Sequence, residues 1–176
     1  MRPRIETERL VLRRFVPKDS EMIYRLNRDP EVMRFMPAAV REQVSPASSA
    51  RMVEECIAQY ERFPGLGIWP TALKETSECI GWTCLKPLDD AEQIELGYRY
   101  FPQFWGRGLC TEVSTALVRY GFQELGLDRI VGITDPRNLA SRRVLEKLGF
   151  RYVKEARYYD HDVLYFVLGA EGETAS

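Results

Sequence analysis

The sequence predicts one α/β domain with a mixed, mostly antiparallel sheet of about seven strands and about four main helices. Three observations carry that expectation. Segments that alternate apolar and polar residues take turns with segments whose apolar residues recur at helical spacing. Three strand-like segments in the middle of the chain are joined by short polar connectors, which make hairpins and hence an antiparallel meander. The length, 176 residues, suits one folding unit, read as residues 1–170 with a frayed tail over 171–176.

The elements follow in order. Thr7 to Val16 reads as the first strand, with Leu10 and Leu12 alternating before Phe15. Lys18-Asp19-Ser20 offers a helix start, and Met22, Ile23 and Leu26 keep helical spacing until Asp29-Pro30 stops it. Glu31 to Phe35 reads as a further short helical turn and Pro37 to Pro46 as a loop. From Ser48 onward, Met52, Val53, Cys56, Ile57 and Tyr60 form the apolar stripe of an amphipathic helix closed by Pro64-Gly65. The meander strands are Gly67 to Lys74, Cys79 to Lys86 and Ile94 to Phe101, with turns at Glu75-Thr76-Ser77-Glu78 and Asp89-Asp90-Ala91-Glu92. Thr111 to Leu125 returns to helical spacing, and Arg129 to Thr134 is a short apolar strand. Ala140 to Leu148 is a helix ended by Gly149, the residue type best suited to a left-handed C′ position. Arg151 to Arg157 and Asp162 to Leu168 are the last two strands.

Composition removes several chemistries. With 25 basic against 26 acidic residues and a pI near 6.0, the chain lacks the basic surplus that nucleic acid would require, so no nucleic-acid partner is expected. The single histidine, His161, excludes a His-rich metal centre, no metal is expected, and any Ser-His-Asp or Cys-His machinery would have to use it. Cys56, Cys79, Cys84 and Cys110 form no C-x-x-C pair, and Cys79 and Cys84 face opposite sides of one strand. Met1 to Glu6 has no apolar leader core, and no run approaches the roughly 18 apolar residues of a membrane span. A cytoplasmic protein with reduced thiols and no membrane partner is expected.

The most informative stretch is Gln103-Phe104-Trp105-Gly106-Arg107-Gly108-Leu109-Cys110-Thr111-Glu112, between a strand and a long helix. Two glycines one residue apart let backbone N–H groups approach a ligand, and the helix behind them points its unpaired N–H groups at the same spot. That combination suits a pyrophosphate, with Arg107 and Thr111 placed to add side-chain contacts. The dipole contributes only about 0.3–1 kcal/mol per exposed charge, so the amide hydrogen bonds must do most of the holding. The nucleoside-triphosphatase pattern G-x-x-x-x-G-K-[ST] is absent, and Thr111 stands where the dinucleotide pattern needs its third glycine. Two isolated glycines also read simply as a strand-to-helix turn.

Gln103-x-x-Gly106-x-Gly108 resembles the Q/R-x-x-G-x-G/A acyl-CoA pyrophosphate loop of the GNAT superfamily of N-acetyltransferases. Further blocks resemble its RimJ/RimL-like branch, the ribosomal-protein N-terminal acetyltransferases and their relatives. They are Thr7-Glu8-Arg9-Leu10-Val11-Leu12-Arg13, Gly97-Tyr98 with Trp105-Gly106-Arg107-Gly108, Asn138-x-x-Ser141 running on to Leu148-Gly149-Phe150, and Tyr159-Asp160-His161-Asp162. The set is ordered and covers nearly the whole chain. The resemblance implies a fourth strand splayed from the fifth, with acetyl-CoA in the gap and coenzyme A as product. It makes Tyr98, Arg99 and Tyr100 the edge that pairs with pantetheine, and gives the pyrophosphate to Trp105, Gly106, Arg107, Gly108, Leu109, Cys110 and Thr111.

It also implies direct transfer of acetyl to a primary amine, on a small molecule or a protein N-terminus, and leaves a homodimer open. Asn138 is either an N-cap, worth about 1 kcal/mol, or a ligand of the pantetheine arm. Ser141 is either a first-turn serine or, by similarity, the group that protonates the leaving thiolate. Many family members carry a tyrosine acid seven residues after the asparagine. Here that position is Leu145, which keeps open a non-catalytic acyl-CoA-binding or sensing module. An ammonium must lose a proton before it attacks, so a carboxylate base is sought. Glu95 and Asp160 are the candidates, although the strand pattern alone makes Glu95 a surface residue and Asp160 a turn residue. Acceptor choice is expected from the Met36 to Ser49 loop and the Tyr158 to His161 turn. Cys110 reads as a packing residue rather than a nucleophile.

Overall fold

The computed structural model describes residues 5–88 and 92–170, so the expected tail over 171–176, the leader residues 1–4 and most of the Asp89-Asp90-Ala91 turn lie outside the described residues. In chain order the elements are β1 (Leu10–Leu12), α1 (Ser20–Asn27), α2 (Ala38–Glu42), α3 (Pro46–Arg62), β2 (Gly67–Leu73), β3 (Cys79–Leu88), β4 (Gln93–Tyr100), α4 (Leu109–Gln123), β5 (Arg129–Thr134), α5 (Leu139–Lys147), β6 (Arg151–Tyr158) and β7 (His161–Gly169). One seven-stranded sheet runs β1-β2-β3-β4-β5-β7-β6, antiparallel throughout except for β4 beside β5.

Neighbouring residues of β4 locate the helices. The Arg99 guanidinium reaches Asn27 of α1, while the Tyr98 hydroxyl reaches Ser141 of α5. Successive strand residues point to opposite faces, so α1 and α5 lie on opposite sides of the sheet. α3 packs on the α1 side, against α1 and β2. α4 covers the other side, where Gly121 lets it approach Leu85 and Ile130; an added Cβ would lie 2.9 Å from Ile130 Cδ1 and 3.1 Å from Leu85 Cδ1. Leu10, Ile23, Leu26, Val53, Ile80, Leu85, Leu117 and Ile130 are all fully or nearly fully buried between these layers.

Most boundaries move by one or two residues, and the larger departures from expectation have physical reasons. The first strand shrinks from Thr7–Val16 to Leu10–Leu12 because Thr7 and Arg9 turn to hold Glu112 of α4: Thr7 Oγ1, the Arg9 backbone N–H and Arg9 Nε all donate to its carboxylate. The long helix begins at Pro46 rather than Ser48. Ser45 Oγ accepts from Ser48 N at 3.1 Å and Ser48 Oγ accepts from Ser45 N at 2.9 Å. Pro46 occupies the first helical position, where a missing N–H costs nothing, so it opens a helix instead of closing a loop. The expected loop before it also contains α2. Pro70 is tolerated in β2 because β1 pairs only with Thr71, Ala72 and Leu73, leaving no ladder bond for the proline to break.

Leu145, standing where many relatives carry a tyrosine, is 1% exposed and packs on Gly132 of β5. A Cβ on Gly132 would lie 2.6 Å from Leu145 Cδ2, so the pair is a close helix–strand contact. Leu145→Ala is expected to cost about 2–5 kcal/mol, read as a lower urea midpoint at unchanged slope.

Candidate functional site

β4 and β5 share a single registered pair, Glu95 with Val131. From Leu96 to Tyr100 the edge of β4 that faces β5 has no strand partner, and the two strands part there. At the far end of this opening lies the glycine loop. Gly106 has φ 70° and Gly108 φ 74°, and Gly108 is the N-cap of α4 with no side-chain cap. The amides of Leu109, Cys110 and Thr111 are therefore left without helical acceptors. An added Cβ on Gly106 would meet nothing within 4 Å, so both glycines answer to backbone conformation rather than crowding. Trp105 Nε1 donates to the Tyr100 carbonyl at 2.8 Å, and Arg9 Nη1 donates to the Arg107 carbonyl at 3.1 Å. The loop is thus tied to both β4 and the chain's start. Gln103 is exposed in a 3₁₀ turn beside Arg25 and Arg28 of α1. Of the expected pantetheine edge, Tyr100 has its carbonyl taken by Trp105 and its hydroxyl in a buried cluster with Thr71 and Thr83.

Asn138 caps α5, its Oδ1 accepting from Ser141 N at 3.1 Å, which leaves the side-chain NH₂ free to meet a ligand. Ser141 Oγ lies 3.1 Å from the Tyr98 hydroxyl, which also donates to the Ser141 carbonyl. Burial pushes the Tyr98 phenol well above its ordinary range. The sequence offered Tyr98 as part of the pantetheine edge and gave its hydroxyl no partner; the hydroxyl reaches α5 from β4.

Glu95 is not the surface residue its strand position implied. It is 8% exposed, at the point where β4 leaves β5. Its Oε2 receives Lys86 Nζ at 3.2 Å and the Tyr159 hydroxyl at 3.1 Å, and Lys86 Nζ also donates to that hydroxyl at 2.8 Å. Oε1 has no hydrogen-bond partner among the described residues and faces Gly97, whose Cβ, if present, would sit 3.2 Å away. Burial alone would lower the Lys86 ammonium, but the charge of Glu95 outweighs it and raises it. Lys86 is therefore a fixed cation.

Lys86 and Tyr159 were missed. Lys86 was recoverable in part, since hairpin register sets it opposite Glu95. Tyr159 was not. It and Asp160 form the two-residue turn between β6 and β7, with φ 52° and 55°. Positive φ at both positions is normally the province of Asn and Gly, so a bulky Tyr159 stores backbone strain of about 1–3 kcal/mol, a feature that clusters at functional sites. The neighbouring candidate, Asp160, is exposed and makes no hydrogen bond or ion pair among the described residues; the turn points the tyrosine inward.

A second polar cluster fastens this turn. Asp135, 6% exposed after β5, accepts from Arg137 through both carboxylate oxygens, at 2.9 Å and 2.8 Å, and pairs with His161 Nε2 at 2.8 Å. His161, expected as a turn residue, is the link between the turn and β5. The Arg137 hydrogen bond holds the Asp135 carboxyl far below the ordinary range, with His161 adding to it. The four cysteines are free. Burial pushes the Cys110 thiol up to about 12, which removes it as a nucleophile.

These features match known proteins. Residues 9–151 match the family model described as an acetyltransferase (GNAT) domain. The uncharacterized N-acetyltransferase YoaA of Bacillus subtilis (strain 168) is 34% identical over 160 residues, covering 90% of this chain and 89% of that one. A GNAT-family acetyltransferase from Bacillus anthracis superposes with TM-score 0.80 at 25% identity, over 95% of this chain and 98% of the other. RimL, a ribosomal L7/L12 alpha-N-protein acetyltransferase solved with coenzyme A, shares the fold at TM-score 0.79 and 16% identity, over 97% and 100% of the two chains. The chain belongs to the GNAT acetyltransferase family and is an acyltransferase, and the seven-stranded GNAT fold read from the sequence holds. Among the described residues no helix is long and apolar enough to cross a membrane.

Because Asp135 titrates below its unfolded value of about 3.9, its contribution to stability is present above pH 4 and lost as pH falls toward its native pKa. Asp135→Asn is expected to destabilise by about 1–3 kcal/mol at pH 7. The difference from the unaltered protein should shrink below pH 4 in denaturation measured across pH 2.5–7.

Proposed function

We propose that this protein transfers an acetyl group from acetyl-CoA directly to a primary amine, with residues 1–170 acting as one cytoplasmic domain. The observation that carries the reading is the opening between β4 and β5, which has an uncapped helix N-terminus at one end and a buried carboxylate at its apex. The residues fit the cofactor. Leu109, Cys110 and Thr111 offer three unbonded amides to a pyrophosphate at the glycine loop, where Trp105, Gly106, Arg107 and Gly108 are exposed. The unpaired edge of β4 around Tyr98 and Arg99 offers peptide groups to an extended amide-bearing arm, and the Asn138 side chain offers a donor. Bound there, acetyl-CoA supplies the activated acetyl group as a thioester.

The amine must arrive neutral. Glu95 Oε1, free of partners and facing the gap at Gly97, takes the ammonium proton, directly or through a water. Lys86 and Tyr159 hold the other oxygen and fix the carboxylate's orientation. On the opposite face of β4 the Ser141 hydroxyl, paired with Tyr98, protonates the leaving thiolate, the role that Leu145 cannot fill. With Cys110 neutral and packed, no acyl-enzyme is needed. The acceptor enters on the α1 side, where Met36 touches Arg99 and the Tyr159 turn touches Glu95, so the two segments expected to choose the acceptor both meet the site.

Three measurements test this. Acetyl-CoA at 100 times its Kd adds about 2.7 kcal/mol, so Tm should rise by about 5–11 °C; no rise at millimolar cofactor would refute cofactor binding. Gly108→Val, forced into left-handed backbone, should abolish that rise while the fold survives; a retained rise removes the loop assignment. Glu95→Gln should lower kcat/KM by about 10²–10⁴-fold at pH 7 and much less at pH 9, where more amine is already neutral. An equal loss at both values would make Glu95 structural.

A further inference from the structure

The α1-side face of β4 carries a lane of three alternate positions, shared with their cross-strand partners on β3. Glu95 faces Lys86, Gly97 faces Cys84, and Arg99 faces Trp82. Gly97 leaves a gap in the middle: a Cβ there would lie 3.2 Å from Glu95 Oε1, 3.8 Å from Trp82 Cζ3 and 2.9 Å from Cys84 Sγ. At one end Glu95 has its own cation, Lys86. At the other end Arg99 has none. Its guanidinium centre sits 5.2 Å from the Trp82 ring centroid, donates to Asn27 Oδ1 at 2.6 Å, and lies 3.2 Å from Met36 Sδ. No carboxylate among the described residues pairs with it.

An arginine held against the sheet with no counter-ion is unusual, because a desolvated cation is costly unless it is paired. Burial drives the Arg99 guanidinium down to about 10. Beneath it, Trp82 Nε1 is buried without a hydrogen-bond partner. Beside the proposed acceptor entrance there thus stand a guanidinium whose oxygen acceptor is the neutral Asn27 amide and an indole N–H with no acceptor among the described residues. The neighbouring cleft of about 370 Å³, which shares Asn27 as a wall, adds Arg28 and Arg41 against a single carboxylate, Asp29, whose Oδ1 is occupied by the Glu31 and Val32 amides.

We propose that Arg99 is the anion-recognition residue of the acceptor site, so that the amine this enzyme acetylates carries a carboxylate. The proposal rests on the acetyl-CoA reading above and names the substrate class of that same site. A guanidinium presents a planar fork that matches a carboxylate through two parallel N–H donors. Asn27 and Trp82 hold that fork in place. Among the described residues on this face of β4 the one unpaired cation is Arg99, which balances one carboxylate; Arg28 and Arg41 line the neighbouring cleft beyond Asn27. The geometry also sets a length. Gly97, where the amine sits beside Glu95 Oε1, is two residues or about 6.6 Å along the strand from Arg99. That span fits a short ω-amino acid or a dipeptide better than an α-amino acid, whose two groups are too close.

The test compares acids with their own amides. Initial acetylation rates are measured for γ-aminobutyrate against its amide and for glycylglycine against glycylglycinamide, with acetyl-CoA affinity measured by calorimetry on the same samples. The acid is expected to exceed its amide by about 10–100-fold in kcat/KM, the range of one charged hydrogen-bonded contact, chiefly through KM. In Arg99→Gln the ratio should fall to about one, and Arg99→Lys should recover part of it, with acetyl-CoA affinity retained in both. A ratio near one in the unaltered protein, or one that survives Arg99→Gln, overturns the proposal. So does loss of cofactor affinity in Arg99→Gln with the ratio intact, which would give Arg99 to the cofactor. Cofactor binding with no turnover of any of the four amines also overturns it. Failure of the unaltered protein to bind acetyl-CoA is the separate result that removes the functional reading beneath it.

Discussion

The structure depends on one interrupted strand pairing. β4 and β5 run parallel and meet in register only at Glu95 and Val131. A parallel ladder that continued would have satisfied the backbone of β4 and sealed the sheet. By parting, the strands leave β4 with exposed peptide groups beyond Glu95, a cost that a sheet interior bears only where something else can pair with them. The surrounding architecture keeps the gap open. Gly81, opposite Tyr100, lets β3 press so close to β4 that a Cβ would collide with the Arg99 carbonyl, which holds β4 on the β3 side. Leu145 packed on Gly132 anchors α5 to β5 on the other.

Charge is distributed with the same economy around that gap. Lys86 neutralises Glu95, Arg137 neutralises Asp135, which His161 also hydrogen-bonds, and Arg9 neutralises Glu112 at the first turn of α4. These contacts tie β3 to β4, the start of β7 to the end of β5, and the segment before β1 to α4. The strained turn at Tyr159 is the clearest case. Two tethers, His161 to Asp135 and Tyr159 to Glu95, pull the turn onto the sheet from either side, and the positive φ values are what that geometry demands of a bulky residue. Arg99 departs from the pattern as a cation with polar and aromatic neighbours but no anion among the described residues.

Most of the fold was legible because the sheet and helices obey local periodicity. Arg129–Thr134 has the bounds its apolar run indicated, and Gly149, at φ 91°, ends α5 in the expected left-handed conformation. The errors fell where a residue type has two meanings. Pro46 opens a helix as readily as it ends a loop, and Thr7 and Arg9 have the pattern of a strand but the bonds of an anchor. At the site, the glycine loop was visible because positive φ leaves a signature in composition. Tyr98 as the partner of Ser141 was not, since the contact spans 43 residues of sequence.

The sequence by itself determined the order of the elements, the glycine-led start of α4 and the family resemblance, because each is written in short motifs whose order along the chain can be read directly. Only the tertiary structure decided that Glu95 is buried, that Tyr159 rather than Asp160 reaches it, that His161 fastens the turn, and that Arg99 has no counter-ion among the described residues. Burial and pairing are properties of what other segments bring near. Those contacts form between strands and helices whose relative placement a linear pattern does not encode.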